Sequence, residues 1–204
     1  YEIMHRENCV AQISTVGECK IYLEDFMPYD LMLEESNDFD KRIKNAMSFY
    51  SWCASRMIPP DRTYAKEILN SIGASQSVTD RDRAQIALSY HCLSLLDVFW
   101  VKEENEKIRF EDINLFAHSL SNALVDIALR GHQMTVTNAH LLANDLSTGG
   151  LYPKAWVRKE DGFYLYKDGG RDAVEREVLA SKICRCFDCH QVLYEQGMFE
   201  NEPV

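Results

Sequence analysis

Residues suited to holding a phosphorylated ligand fall close together late in this sequence. Ser147, Thr148, Gly149 and Gly150 make a small glycine-containing turn, with Lys154 just beyond it. Lys167 closes a later strand, and Glu177 lies on the helix that follows. Glycines let a backbone approach phosphate oxygens closely, a lysine supplies a compact positive charge with three donors, and a carboxylate can hold that ammonium extended. On the return strand Phe163, Leu165 and Lys167 share one face, while Tyr164 and Tyr166 take the other. A lysine that closes an apolar face is costly unless it snorkels or meets an anion. Glu177, Ala180, Ser181 and Cys184 form one helical stripe, with Glu175 on a different face. The same residues also fit a plainer structure, a hairpin and helix tied by a surface Lys–Glu pair, because a Gly-Gly turn alone is a weak signal.

Other clusters carry less. Cys184, Cys186, Cys189 and His190 place four borderline-soft ligands in seven residues, which invites zinc. The spacing is poor for it, and Cys184 and Cys186 fall on different faces of a helix, so buried thiols at a helix end are the default expectation. His140, Asn144 and Asp145 bring together residues used in catalysis, but they precede the glycine turn and read as a helix or loop end.

The composition sets bounds on partners. The chain has 204 residues, 46% hydrophobic, with 22 basic and 32 acidic side chains for a net charge of −10. Ten tyrosines, nine phenylalanines and three tryptophans rule out global disorder. The acidic balance argues against broad electrostatic binding to DNA, RNA or an acidic membrane. Lys41, Arg42, Lys44, Arg81 and Arg83 are interleaved with acids, as on solvated helix faces, and the Thr63–Leu95 helix pair is only a faint helix-turn-helix candidate. No apolar run reaches the roughly 18 residues of a membrane span. Seven scattered or crowded cysteines do not make a disulfide framework, which points to a reduced, cytoplasmic protein. Tyr1 in place of an initiator methionine reads as a piece cut from something longer.

The elements that must position these residues read as an α+β chain in three parts. Residues 1–35 alternate as short strands (Tyr1–His5, Val10–Ile13, Cys19–Leu23), making a small β-rich N-terminal region. Residues 36–140 form a helical block. Phe39, Ile43, Met47, Tyr50, Ala54 and Met57 fall at helical spacing before Pro59-Pro60 stops the helix. Thr63 is placed to cap a second helix and Asp80 a third, the latter with Ala84, Ala87, Leu88, His91 and Leu95 on one stripe, where His91 reads as a core-edge residue. Phe99–Val101 and Ile108–Phe110 read as a hairpin, and a fourth helix runs from about Asp112 to Arg130. In residues 141–204 a strand leads through Asp161-Gly162, a strong hairpin signal, to a return strand ending at Lys167. A helix from about Asp172 to Phe187 follows, and Val192–Glu195 begins another strand.

Ser147–Ala155, Tyr164–Lys167 and Glu175–Ala180 resemble, in this order, the glycine-rich Pro-Lys phosphate loop, the lysine strand and the glutamate helix of HipA-like serine/threonine protein kinases. Ser55–Arg62, Leu93–Trp100 and Phe110–Phe116 are also similar to segments of such proteins, so the resemblance spans about Ser55 to Tyr194. It implies a kinase N-lobe-like antiparallel sheet with one helix. Ser147, Thr148, Gly149, Gly150 and Lys154 would cover ATP phosphates, Lys167 would contact the α/β phosphates, and Glu177 would pair with it. It further implies ATP and Mg²⁺ as cofactors of a longer parent, a protein substrate and a restraining, antitoxin-like partner. The catalytic base and metal ligands of that family would follow well after Tyr194. The expectation is therefore an ATP-gripping portion, inactive and without tightly bound nucleotide by itself. The alternative is a non-catalytic interaction module of a phage or mobile element.

Overall fold

A computed structural model of the chain describes residues 1–72, 79–118, 129 and 147–204. It is an α+β protein. Strands β1 (Glu2–His5) and β2 (Asn8–Ile13) each bury adjacent apolar residues, Ile3-Met4 and Val10-Ala11, whereas β3 (Cys19–Ile21) alternates apolar and polar residues. They join β4 (Phe99–Lys102) in an antiparallel sheet of order β3-β2-β1-β4. The expected hairpin between Phe99–Val101 and Ile108–Phe110 does not form. Instead β4 pairs with β1, setting Ile3 opposite Val101 and Met4 opposite Trp100, while Phe110 opens a short helix.

That register divides the apolar residues between two cores, because neighbouring strand residues point to opposite faces. Ile3 and Val101 enter the larger cluster, and Met4 and Trp100 enter a smaller one with Leu93, Phe110, Ile113 and Leu115. The larger cluster is covered by α1 (Phe39–Ser55), α2 (Ala65–Ser71) and α3 (Asp80–Ser89). The face of α1 differs from the stripe the apolar spacing suggests. Phe39, Ile43 and Met47 are exposed, and Asn45, Phe49, Trp52, Cys53 and Ala54 are buried. Asn45 decides this rotation. Its amide donates to the carbonyls of Gly17 (3.1 Å) and Glu34 (2.8 Å), and its carbonyl accepts from Glu34 N–H (3.0 Å). A buried amide satisfied this fully is tolerated, but a binary pattern counts it as surface.

The helix starts also shift by a residue. Thr79, not Asp80, caps α3, forming a reciprocal capping box with Asp82. Thr63 does not cap α2. Tyr64, in the left-handed region at φ 64°, precedes that helix, and Thr63 N–H is used elsewhere. Helix α4 spans only Phe110–Ile113, where a run from Asp112 was expected. Asn114 ends it by donating to the Phe110 carbonyl (3.0 Å) and accepting from Ala117 N–H (2.8 Å), a local side-chain competition that terminates helices. The rest of that expected helix, 119–128 and 130, lies outside the described residues, as do His140, Asn144 and Asp145.

Arg56, at the end of α1, ties the block together. It forms a bidentate pair with Asp97 (2.7 and 2.9 Å), reaches the Phe99 carbonyl (3.1 Å), and stacks 4.9 Å from the Trp52 ring. Strands β5 (Lys154–Lys159) and β6 (Gly162–Lys167) form a hairpin, followed by α5 (Arg171–Cys184). Short strands β7 (Met198–Phe199) and β8 (Glu202–Pro203) close the chain. Ala155 of the hairpin belongs to the larger cluster, with Val157 and Tyr166 packed against it. Val192–Glu195, expected as a strand, is not one. Among the described residues no helix is long and apolar enough to cross a membrane.

Gly17 sits at φ 80° with its missing Cβ 1.8 Å from the Arg42 carbonyl oxygen. Gly17→Ala should therefore cost about 2–4 kcal/mol, combining left-handed strain with overpacking. Urea unfolding checks this, and an unchanged midpoint would show that β2–β3 is not held against α1 as described.

Candidate functional site

The hairpin has two chemically distinct faces. Cross-strand partners Ala155 and Tyr166 point with Val157 into the core, so the opposite face carries Lys154, Trp156, Leu165 and Lys167. Lys154 and Lys167 are directly paired in register, which sets two ammonium-bearing chains side by side at the open end of the hairpin. Like charges so placed repel, and each must find an oxygen.

Lys154 folds back over the turn that precedes it and donates to the Gly149 carbonyl. Gly150 lies at φ 101°, and a Cβ there would come within 2.4 Å of the Lys154 nitrogen. The glycine therefore serves both the backbone conformation and the approach of that ammonium. Gly149 and Gly150 are exposed, whereas Ser147 and Thr148 are buried. The Ser147 hydroxyl meets that of Ser94 at 2.7 Å. The structure thus separates the expected phosphate-loop residues into an anchored pair, Ser147 and Thr148, and an accessible pair, Gly149 and Gly150.

The turn is shaped by a residue that sequence reasoning did not select. Arg62 is 5% exposed and donates to the carbonyl of Thr148 (3.0 Å) and to that of Lys154. The adjacent Thr63 N–H donates to the Leu151 carbonyl at 2.9 Å. Both ends and the middle of the turn are held from the segment just after Pro59-Pro60. The sequence signal for this is an arginine two residues after the Pro59-Pro60 helix stop.

Lys167 and Glu177 are brought together. The Lys167 nitrogen donates to Glu177 Oε2 at 3.1 Å and to the Tyr194 hydroxyl at 3.0 Å, and lies 4.7 Å from the centre of the Tyr194 ring. The inward face of α5 is Val174, Glu177 and Ser181. Ala180 and Cys184, placed on the Glu177 stripe by spacing, are exposed. Ser181 receives the Tyr194 backbone N–H at 3.1 Å, which folds the segment after α5 back over the lysine. Tyr194 therefore appears in a contact where an extra strand was expected.

These contacts act differently on the two lysines. Burial lowers the proton affinity of Lys154, and the like charges of Arg62 and Lys167 lower it further, against a smaller opposing effect of Glu177. For Lys167, burial also acts to lower the value, but the bonds to Tyr194 and Glu177 outweigh it and hold the pKa above the ordinary 10.5. Its pairing thus stabilises the fold below pH 10.5 and is lost as pH rises through the higher folded value. Both partners are partly exposed, so the ion pair contributes about 0.5–1 kcal/mol. Its value here is geometric.

Cys184, Cys186 and Cys189 are exposed, not buried, because they lie at and beyond the outer end of α5, away from its packed face. Among the described residues no group of three or more His, Cys, Asp or Glu side chains is placed to hold a metal ion. Three of the basic residues of the helical block are already engaged: Lys41 with Glu34, Arg42 with Glu18, and Arg83 with Asp80 and the Ala54 carbonyl. A separate cleft of about 670 Å³ is lined by Tyr1, His91, Glu103, Glu104 and Glu106 among others. It shares no residue with the glycine turn, and its acidic wall disfavours phosphate. Within it His91 bonds the Val101 carbonyl at 3.0 Å and approaches Glu106 at 3.7 Å, which agrees with a core-edge histidine.

Arg62→Ala should unpin the turn while leaving the main sheet in place. The expected result is trypsin cleavage after Lys154 accelerated at least several-fold, read by mass spectrometry. An unchanged cleavage rate would mean that Arg62 does not hold the turn.

Comparison with family models, with curated proteins and with solved structures finds no match for this chain.

Proposed function

We propose that this chain is the phosphate-gripping N-terminal portion of a HipA-like serine/threonine protein kinase. One observation carries the reading. Lys167 is held by a helix carboxylate on the same hairpin face as Lys154, whose ammonium covers an exposed diglycine turn. A strand lysine fixed by a helix glutamate beside a glycine turn is the arrangement that steadies nucleotide phosphates in protein kinases.

The residues suit such a ligand. Gly149 has nothing within 4 Å of the place a Cβ would take, so its backbone is open to a large anion. Lys154 already binds a carbonyl oxygen, a weaker partner than a phosphate oxygen. ATP with Mg²⁺ would supply the phosphoryl group in a longer parent chain, and Gly149, Gly150, Lys154 and Lys167 would touch its phosphates. Ser147 and Thr148 would act as the inner anchor of the turn, and Glu177 would orient Lys167. The catalytic base and the metal ligands of such a kinase would come from a second lobe. The parent would phosphorylate a hydroxyl of a protein in the cytoplasm, restrained by an antitoxin-like partner.

A second reading, a non-catalytic interaction module, draws on different residues. Phe39, Ile43 and Met47 make an exposed apolar stripe on α1, and Leu179, Ile183 and Phe187 make another along α5 and just beyond it. Such stripes are suited to protein contacts.

Calorimetric titration with ATP separates the two readings. Weak, saturable binding is expected for the wild type and a loss of at least tenfold for Lys167→Ala, whose fold should persist. Just below the ordinary lysine pKa of 10.5, binding should also take up protons, because an added anion restores the depressed proton affinity of Lys154. Buffers of different ionisation heat reveal that uptake. Equal affinity in wild type and Lys167→Ala would overturn the role given to Lys167.

A further inference from the structure

We propose that Tyr194 is a positioning residue of this phosphate site, its hydroxyl fixing the Lys167 ammonium and adding a second donor for the anion. The inference rests on the phosphate reading of the hairpin face given above. It starts from donor arithmetic. A lysine ammonium has three N–H donors. At Lys167 one goes to Glu177 (3.1 Å) and one to the Tyr194 oxygen (3.0 Å). One remains. Since Tyr194 accepts from Lys167, its own O–H proton stays available for another acceptor. A phosphate oxygen beside Lys167 would therefore meet an N–H and an O–H from adjacent atoms.

The ring adds direction. The Lys167 nitrogen lies 4.7 Å from the Tyr194 ring centre, within the range in which an aromatic face attracts a cation. Glu177 and Tyr194 thus approach the ammonium from two separate segments, α5 and the chain that follows it. A single carboxylate would leave a long lysine free to swing about the pair. Two partners of different shape hold its end.

Tyr194 is itself held. Its backbone N–H donates to Ser181 Oγ, and Ser181 is 4% exposed on the face of α5 that also presents Glu177. One helix face therefore supplies Glu177 directly and Tyr194 through Ser181. The two lysine partners move together, and a displacement of α5 would release Lys167 from both.

The test uses the full 204-residue chain, with Tyr194→Phe, Tyr194→Leu and Lys167→Ala, and sodium triphosphate as the probe. Lysine ¹H–¹³Cε spectra follow the Lys167 titration without ligand. Tyr194→Phe removes one oxygen and keeps the ring, so the fold should persist even if Tyr194→Leu fails to fold. Tyr194→Phe should lower the Lys167 titration midpoint and weaken triphosphate binding about tenfold, the effect of one hydrogen bond to a charged group. A purely structural tyrosine would move neither reading. If Lys167→Ala loses binding while Tyr194→Phe keeps the wild-type midpoint or affinity, the inference fails and the phosphate reading stands. If Lys167→Ala binds triphosphate as the wild type does, the phosphate reading falls and takes the ligand contact with it. The ligand-free midpoint then still decides whether Tyr194 positions Lys167.

Discussion

The glycine turn cannot hold its own shape, and that constraint organises everything around it. Gly149 and Gly150 have more backbone freedom to lose on ordering than any other residues, and Leu151 and Tyr152 beside them are largely exposed. Order is imposed from outside, by the Arg62 guanidinium on the Thr148 and Lys154 carbonyls, by Thr63 N–H on Leu151, and by Ser94 on Ser147. A buried guanidinium is costly to desolvate, and the two carbonyl oxygens it bonds offset part of that cost. Arg62 follows Pro59-Pro60 and precedes α2, so the place of the turn is inherited from the helices that cover the larger core.

The hairpin carries this order to the lysines through the two-residue period of a strand. Ala155, Val157 and Tyr166 fix one face in the core. The other face must then present Lys154, Trp156, Leu165 and Lys167 together. A register slip of one residue would bury the lysines and expose the apolar residues. Packing on one side is thus what sets the ammonium groups on the other.

What the sequence disclosed follows the range of each interaction. The β5–β6 hairpin, with its Asp161-Gly162 turn, and the Lys167–Glu177 pair depend on residues close in sequence and on regular periods, and they were legible. The face of α1 was misread because Asn45 is satisfied by Gly17 and Glu34, partners no local pattern reveals. The 99–110 hairpin was misread for a similar reason. Phe99–Lys102 has a distant and better partner in Glu2–His5, whose Ile3 and Met4 complete the two cores. Arg62 and Tyr194 escaped notice because their contacts, to carbonyls and to a lysine, arise only when separate segments meet. At the site, the elements could be read in the chain and the clamps that hold them could not.

The overall charge and the local field of the site have opposite signs, and distance reconciles them. A chain of net charge −10 repels a polyanion at long range, but at physiological ionic strength that repulsion decays over about 8 Å. Contacts at about 3 Å are felt almost unscreened by comparison. At Lys154, burial together with the nearby charges of Arg62 and Lys167 already disfavours the ammonium, and an anion seated there would offset that effect. On the proposed reading, the acidic surface would slow the approach of an anion without cancelling its attraction once seated. Ligands that present several oxygens at once would be favoured on the same reading, because they could meet the turn, Lys154 and the remaining donor of Lys167 together.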